Sequence, residues 1–119
     1  MIDAVRGTRD LMGDDARYYR FIEDTARSVF EMYGFSEIIV PILEHTELFT
    51  RGIGDTTDIV TKEMYTFPDR KERSLTMRPE GTAGVVRSYI QNGLDRSAPI
   101  QKFYYSGPMF RYERPQKGR

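Results

Sequence analysis

The 119-residue chain has no cysteine, no tryptophan, one histidine and no long apolar run. Without cysteine it can form neither a disulfide framework nor a thiolate metal site, and a single histidine, His45, cannot form a multi-histidine cage. The sequence also offers His45 no partners for a catalytic triad. No apolar run approaches the ~20 residues that span a bilayer, and the N-terminus lacks the basic and apolar regions of a signal peptide. We therefore expect a cytoplasmic protein with no membrane segment, no side-chain metal site and a structural His45.

The formal net charge is zero, but the charges are unevenly distributed. Residues 1–60 carry 12 acidic and 6 basic groups, whereas residues 97–119 carry 1 acidic and 5 basic groups. An anionic partner should prefer this C-terminal part, although a charged tail can also be merely solvated. The length suits one domain, or part of one.

The first half of the chain predicts a helix followed by a strand. Apolar or small residues recur at helical spacing between Asp14 and Tyr33, with Asp14 and Asp15 as N-terminal capping residues and Gly34 at the end. The β-branched run "FSEIIVPIL" then predicts a strand over 35–43. Because Pro41 cannot donate a ladder hydrogen bond, it should lie at a sheet edge or at a contact with another chain.

The second half predicts shorter elements. Residues 49–58 read as a loop, residues 62–67 and 74–78 as a β-hairpin, and residues 101–114 as a final strand. A helix is expected from Thr82, as its cap, to Asn92, with Gly93 at its end. Helices and strands alternate without a βαβ rhythm, which favours an antiparallel α+β fold.

Two clusters of polar residues suggest a binding site. On the final strand Arg111 and Glu113 should share one face and could hold the phosphate and amino groups of one ligand, such as ATP; a surface ion pair is the alternative. In "LTMRPEGTAG", Arg78, Glu80 and Thr82 stand where a strand gives way to a helix. The start of the helix, which attracts anions, and Glu80, which would hold an ammonium, could together bind a zwitterion such as an amino acid; alternatively, Glu80 and Thr82 could simply cap the helix.

Several segments resemble class II aminoacyl-tRNA synthetases. "YGFSEIIVPILEHTELF", about 33–49, resembles motif 1, and "GPMFRYERPQKGR", within about 103–119, resembles the first strand and loop of motif 2. "TDIVTKEMYTF" and "TMRPEGTAGVVR", the second overlapping a histidine-binding segment of about 75–84, resemble the histidyl-tRNA synthetase version. The resemblance runs from residue 6 to residue 119.

The resemblance implies a class II catalytic core, an antiparallel sheet flanked by helices, that is incomplete in this chain. It implies ATP-dependent activation of histidine and transfer to tRNA(His), with Mg²⁺ bound to ATP, in a homodimer. Motif 3 and the anticodon-binding domain have no counterpart here. We therefore expect residues 1–119 to be the N-terminal part of a catalytic domain that is inactive or very weak by itself.

The resemblance also implies residue roles in the motif 2 segment. Arg111 would bind the α-phosphate of ATP and stabilise the transition state, and Glu113 would lie toward the adenine. Arg119 would contact the ATP phosphates, while Arg114 and Gln116 would approach the acceptor end of the tRNA.

Outside motif 2, the resemblance implies that Glu80 and Thr82 bind the α-amino group of histidine and that Pro41 lies at the homodimer interface. Two other hypotheses remain: a regulatory paralogue of histidine biosynthesis that senses histidine without charging tRNA, and a fragment with only a dimerisation role. The intact "FRYERPQKGR" argues against the sensor, which needs neither ATP nor acceptor-stem contacts.

Overall fold

The computed structural model describes residues 1–51 and 63–113. Within these ranges the chain divides into two compact units, Met1–Ser36 and Glu37–Glu113. No helix in the described ranges is both long and apolar enough to cross a membrane.

The first unit contains one long helix, α1 (Asp14–Met32), which confirms the helix predicted from the apolar periodicity. Gly34 ends it with a left-handed φ of 81°, and the amide of Phe35 donates to the carbonyl of Phe30 at 3.0 Å. The N-terminal cap differs from the prediction because the N-cap residue is Gly13, which has no side chain. Asp14 instead forms an ion pair with Arg17 at 2.5 Å.

The second unit holds most of the regular structure, and β1 begins at the junction between the units. Its strands form a three-stranded antiparallel sheet in the order β2-β4-β3 and a two-stranded sheet of β1 and β5. The predicted antiparallel α+β class is therefore confirmed. The elements in chain order are β1 (Ser36–Glu37), β2 (Leu43–His45), α2 (Glu47–Thr50), β3 (Tyr65–Pro68), β4 (Ser74–Met77), α3 (Thr82–Gln91), a 3₁₀ helix (Leu94–Arg96) and β5 (Phe103–Tyr104).

The single strand predicted over 35–43 is wrong, since the segment contains β1 and the start of β2. The two parts bond to different neighbours: the amide of Ile38 donates to the carbonyl of Tyr104, and the carbonyl of Ile42 accepts from the amide of Arg78. Pro41 lies exposed between them, where its missing N–H costs no ladder bond.

The predicted loop at 49–58 also starts too early, because residues 49 and 50 belong to α2; residues 52–58 lie outside the described residues.

The predicted hairpin is confirmed. Strands β3 and β4 pair in antiparallel register with Tyr65 opposite Met77 and Pro68 opposite Ser74. The turn between them is organised by the carboxylate of Asp69, which accepts from the amides of Lys71 at 2.8 Å and Arg73 at 2.9 Å. The same carboxylate accepts from the guanidinium Nε of Arg73 at 2.7 Å.

These bonds make the hairpin turn sensitive to acid. The amide of Arg73, its guanidinium and the amide of Lys71 hold the pKa of Asp69 below its ordinary value. A carboxyl group with a lowered folded-state pKa stabilises the fold above its unfolded-state pKa and loses that contribution as the pH falls through the folded-state value. An NMR titration should therefore find the Asp69 carboxyl titrating below the same group in a short peptide. Asp69→Asn should remove the part of the stability loss at low pH that comes from protonation of this carboxylate. A pKa for Asp69 equal to that in the peptide would contradict the prediction.

The central strand β4 carries a fully buried hydroxyl, that of Thr76. It donates to the hydroxyl of Thr46 at 2.8 Å and shares a hydrogen bond with the hydroxyl of Thr66 at 3.0 Å. The Thr46 hydroxyl in turn lies 2.7 Å from that of Ser74. A buried hydroxyl needs a hydrogen-bond partner, and these hydrogen bonds allow a threonine to occupy the centre of the sheet. The buried apolar side chains among the described residues are Val40, Phe49, Met64 and Tyr104.

Candidate active site

The site forms where β4 ends and α3 begins. The N-cap residue of α3 is Gly81, so the predicted capping role of Thr82 is wrong. The carboxylate of Glu80 satisfies the helix end instead: one oxygen accepts from the amide of Thr82 at 2.6 Å and the other from the amide of Ala83 at 3.0 Å. A carboxylate suits this place because the first amides of a helix have no partner within it.

The capping bonds do not exhaust the acceptor capacity of Glu80. An ionised carboxylate has about four lone-pair sites, and each oxygen of Glu80 is engaged here by one backbone amide. The side chain is only half-buried. The two interpretations offered by the sequence, a helix cap and a carboxylate for an ammonium group, are therefore compatible in one residue.

The side chain of Thr82 is exposed and its hydroxyl lies 2.9 Å from that of Tyr105. The Tyr105 ring covers Gly81 so closely that a Cβ atom at this position would overlap it. The sequence analysis assigned no role to Tyr105. The sequence feature that could have indicated this contact is the glycine between Glu80 and Thr82, because glycine permits such a close approach.

Arg111 lies beside the same turn. Its Nε donates to the carbonyl of Pro79 at 3.0 Å, and the amide of Phe110 donates to the carbonyl of Arg78 at 2.9 Å. The amide of Tyr112 donates to the carbonyl of Glu63 at 2.6 Å, so alternate amides of residues 110–112 face neighbouring backbone as in an extended strand.

The final strand is much shorter than the predicted 101–114, since only Phe103 and Tyr104 form β5. The proline at 108 cannot donate a hydrogen bond to a ladder. Gly107 has a backbone φ of 157°, which residues with a side chain rarely adopt. Glu113 is exposed, and Arg114, Gln116 and Arg119 lie outside the described residues.

Arg78 is a buried cation that the sequence analysis left without a role. Its side chain is held by two backbone carbonyls: Nε donates to Pro108 at 3.0 Å and Nη1 to Val40 at 3.4 Å. Gly107 passes so close that a Cβ atom there would collide with Nη2. The alternation of a strand predicts which side Arg78 faces but not which carbonyls a distant segment brings to it.

A buried ion pair fastens α3 to the sheet. Glu44 on β2 is 7% exposed, and its two oxygens lie 2.8 and 3.0 Å from Nε of Arg87 on α3. Arg87 also donates from Nη1 to the side chain of Gln91 at 2.6 Å. A Cβ atom at Gly84 would lie 3.2 Å from both Glu44 Oε1 and Val40 Cγ2, so the helix backbone lies against β2 and the residues before it. The sequence analysis missed this pair because its members are 43 residues apart.

Two other features lie apart from these contacts. His45 is exposed on β2, opposite Leu75 in the sheet. A largely apolar groove of about 410 Å³ is lined by none of the predicted site residues. Its lining residues are Val85, Val86, Tyr89, Pro99, Ile100, Gln101 and Phe103.

Comparison with known proteins gives consistent matches. Residues 7–119 match the family model described as histidyl-tRNA synthetase. The chain is 60% identical over 119 residues to the histidine–tRNA ligase of Geobacter sulfurreducens and 59% identical over 118 residues to that of Maridesulfovibrio salexigens, covering 100% and 99% of this chain. In each case the chain spans 29% of the relative's length.

Solved structures agree. The crystal structure of apo histidyl-tRNA synthetase from S. aureus matches with a TM-score of 0.78 and 45% identity over 94% of this chain and 26% of that one. A histidine–tRNA ligase subunit from Alicyclobacillus acidocaldarius matches with a TM-score of 0.80 over 94% of this chain and 32% of its own. At 18% identity this second match supports the fold alone.

Proposed function

The chain belongs to the histidyl-tRNA synthetase family, and from this premise we propose that the complete protein is a histidine–tRNA ligase. It would activate histidine with ATP to form histidyl-adenylate and then transfer the histidyl group to tRNA(His). Residues 1–119 would supply the N-terminal part of its catalytic domain, with motif 1 at about 33–49, the histidine-binding segment at about 75–84 and the start of motif 2 at about 103–119. By itself this chain would be inactive or very weakly active.

The observation that carries the proposal is the hydrogen bond from Arg111 to the carbonyl of Pro79. It brings the guanidinium to the residue that directly precedes Glu80, although 32 positions separate them along the chain. A cation suited to a phosphate and a carboxylate suited to an ammonium group thus lie at one turn. Histidine must be held beside ATP in this way before its carboxylate can react.

Activation requires the carboxylate of histidine to attack the α-phosphorus of ATP, with loss of pyrophosphate. Both reactants are anionic, so catalysis depends on alignment and on a cation placed where negative charge accumulates. The bond to Pro79 uses Nε of Arg111, which leaves its two terminal nitrogens to hold an α-phosphate oxygen. This step needs neither a side-chain nucleophile nor a proton shuttle.

Histidine would bind through its α-amino group. The ammonium would donate to Glu80, whose oxygens are already oriented by the amides of Thr82 and Ala83. The exposed hydroxyl of Thr82, fixed 2.9 Å from the Tyr105 hydroxyl, would accept a second hydrogen bond. Rigid orientation of this kind lowers the entropy cost of binding.

The remaining contacts are proposed from the motif 2 sequence. Glu113 would lie toward the adenine, Arg119 would contact the ATP phosphates, and Arg114 and Gln116 would approach the acceptor end of the tRNA. Mg²⁺ would enter bound to the phosphates of ATP, as part of that substrate. We assign no residue of this chain to hold it.

The complete protein would act as a homodimer in the cytoplasm. Pro41, exposed between β1 and β2, would lie at the subunit interface. The location follows from the proposed activity, because cytoplasmic ribosomes use charged tRNA. A regulatory paralogue is not favoured, since the relatives near 59% identity are named histidine–tRNA ligases.

Exchange of labelled pyrophosphate into ATP tests the proposal. The complete protein, given each of the twenty amino acids in turn, should catalyse exchange most strongly with histidine. Exchange requires the amino-acid carboxylate to displace pyrophosphate from ATP, after which labelled pyrophosphate attacks the adenylate, releases the amino acid and regenerates ATP. Omitting Mg²⁺ should abolish the exchange. Stronger exchange with another amino acid, or none with histidine, would overturn the assignment.

A further inference from the structure

We propose that Arg78 is a positioning residue, which acts by fixing Arg111 relative to Glu80 and Thr82. The inference rests on the proposed function, because it concerns the rate of adenylate formation. It adds a residue that touches no substrate, yet sets the spacing between the two parts of the site.

Four hydrogen bonds converge on Arg78. Its side chain donates to the carbonyls of Pro108 and Val40, its amide donates to the carbonyl of Ile42, and its carbonyl accepts from the amide of Phe110. Two of these bonds hold residues 108 and 110, directly before Arg111. The other two hold residues 40 and 42, and so anchor the turn to the segment before β2.

The turn and the arginine are also joined directly. Pro79 follows Arg78 and accepts from Arg111, while Glu80 follows Pro79 and accepts from the start of α3. Any shift of Arg78 therefore moves the partners of Arg111 and of Glu80 together. Misplacement by about 1 Å can cost on the order of a hundredfold in rate.

The chemistry of this position requires arginine. A planar guanidinium presents several donors in a rigid fork, whereas a lysine ammonium is a compact point charge on a flexible stem. The carbonyls of Pro108 and Val40 are bound by different nitrogens of Arg78. Because Arg78 is 6% exposed, its side chain is enclosed by protein and acts on the reaction through its neighbours.

Gly107 provides a second way to disturb the same contact. A Cβ atom at this position would collide with Nη2 of Arg78, so Gly107→Ala displaces the guanidinium without removing it. Arg73 supplies a matched control. Arg73 lies directly before β4, and Arg78 lies directly after it. The Nε of Arg73 also donates a hydrogen bond, to Asp69 in the hairpin turn.

The first test measures adenylate formation by the complete protein carrying Arg78→Met, Arg78→Lys, Gly107→Ala or Arg73→Met. The first three should lower kcat by about a hundredfold and change the KM for histidine and for ATP far less, because the loss falls on the aligned transition state. Lysine should rescue only a small part. Arg73→Met should react at nearly the wild-type rate. Wild-type rates in both Arg78 variants would overturn the proposal.

A double variant separates positioning from general damage. If Arg78 acts through Arg111, then Arg78→Met should cost little further activity once Arg111→Ala is present. If Arg78 merely maintains the fold, the two losses should multiply. Multiplying losses would therefore overturn the proposal.

Amide hydrogen exchange gives a readout that does not depend on activity. In Arg78→Met, or in Gly107→Ala if the first variant does not fold, the amides of Phe110 and Tyr112 should exchange about tenfold faster or more. The amides that pair β3 with β4 should keep their wild-type rates. Unchanged exchange at 110 and 112 would overturn the proposal, whereas an enzyme that activates another amino acid would overturn only the proposed function.

Discussion

Replacing Arg111 with alanine in the complete protein should slow histidine activation by about a hundredfold to a thousandfold, equivalent to roughly 2.7–4 kcal/mol of transition-state stabilisation. Among the described residues, the exposed side chain donates one hydrogen bond, to Pro79, and it lies outside the core. Its loss should therefore leave folding within about 0.5 kcal/mol of wild type. Single-turnover measurement of histidyl-adenylate, together with amide exchange across β3 and β4, checks both parts.

Arg111→Lys tests whether shape matters as well as charge. An ammonium cannot bond to the Pro79 carbonyl and also present a two-pronged fork to a phosphate. We expect activation to remain at least tenfold below wild type. Near-normal rates in the alanine variant would return Arg111 to the alternative interpretation, a surface ion pair.

The second large effect concerns stability. Arg87→Met should destabilise the packing of α3 on the sheet by about 3 kcal/mol, because the Glu44 carboxylate would remain buried without its partner. The side chain of Arg87 is 29% exposed, so we take the lower end of the range for buried pairs. Native-state amide exchange along α3 in the complete protein measures the loss where it occurs.

The double variant Glu44→Met/Arg87→Met is the control for this prediction. Removing both charges leaves no unpaired ion and should restore most of the lost stability. If stability is restored, the Glu44–Arg87 ion pair joins α3 to the sheet without adding net stability to the fold. A double variant as unstable as Arg87→Met alone would show that the packing against Gly84 matters more than the charge.

Local patterns predicted the parts of the fold that depend on neighbouring residues. The periodicity before Gly34 predicted α1 nearly to its ends, and the polar segment 68–73 predicted the turn between β3 and β4. Local patterns failed where a distant partner decides the outcome. The segment 35–43 has strong strand propensity, but its halves bond to Tyr104 and Arg78, so it divides at Pro41.

The site could be predicted as residue types but not as geometry. Sequence motifs identified Arg111, Glu80 and Thr82, whose proposed roles the structure makes physically feasible. They offered a helix cap as one role of Glu80, but they did not indicate that Tyr105 and Arg78 support the site. The residues in those contacts are 23 to 30 positions apart in the sequence, and some contacts join a side chain to a backbone carbonyl. The periodicity of the sequence carries no information about such contacts.

The bonds that join residues 78–79 to residues 108–111 span 30 to 32 positions, and this separation has a consequence for synthesis on the ribosome. At about 5–20 residues per second, the turn that carries Glu80 is made roughly 2–6 s before Arg111. During that interval the guanidinium of Arg78 has no Pro108 carbonyl to bind, and α3 can form before the loop closes. Loop closure over such a distance carries an entropy cost that only the later contacts repay. The nascent chain therefore contains the proposed amino-acid half of the site before it contains the proposed nucleotide half.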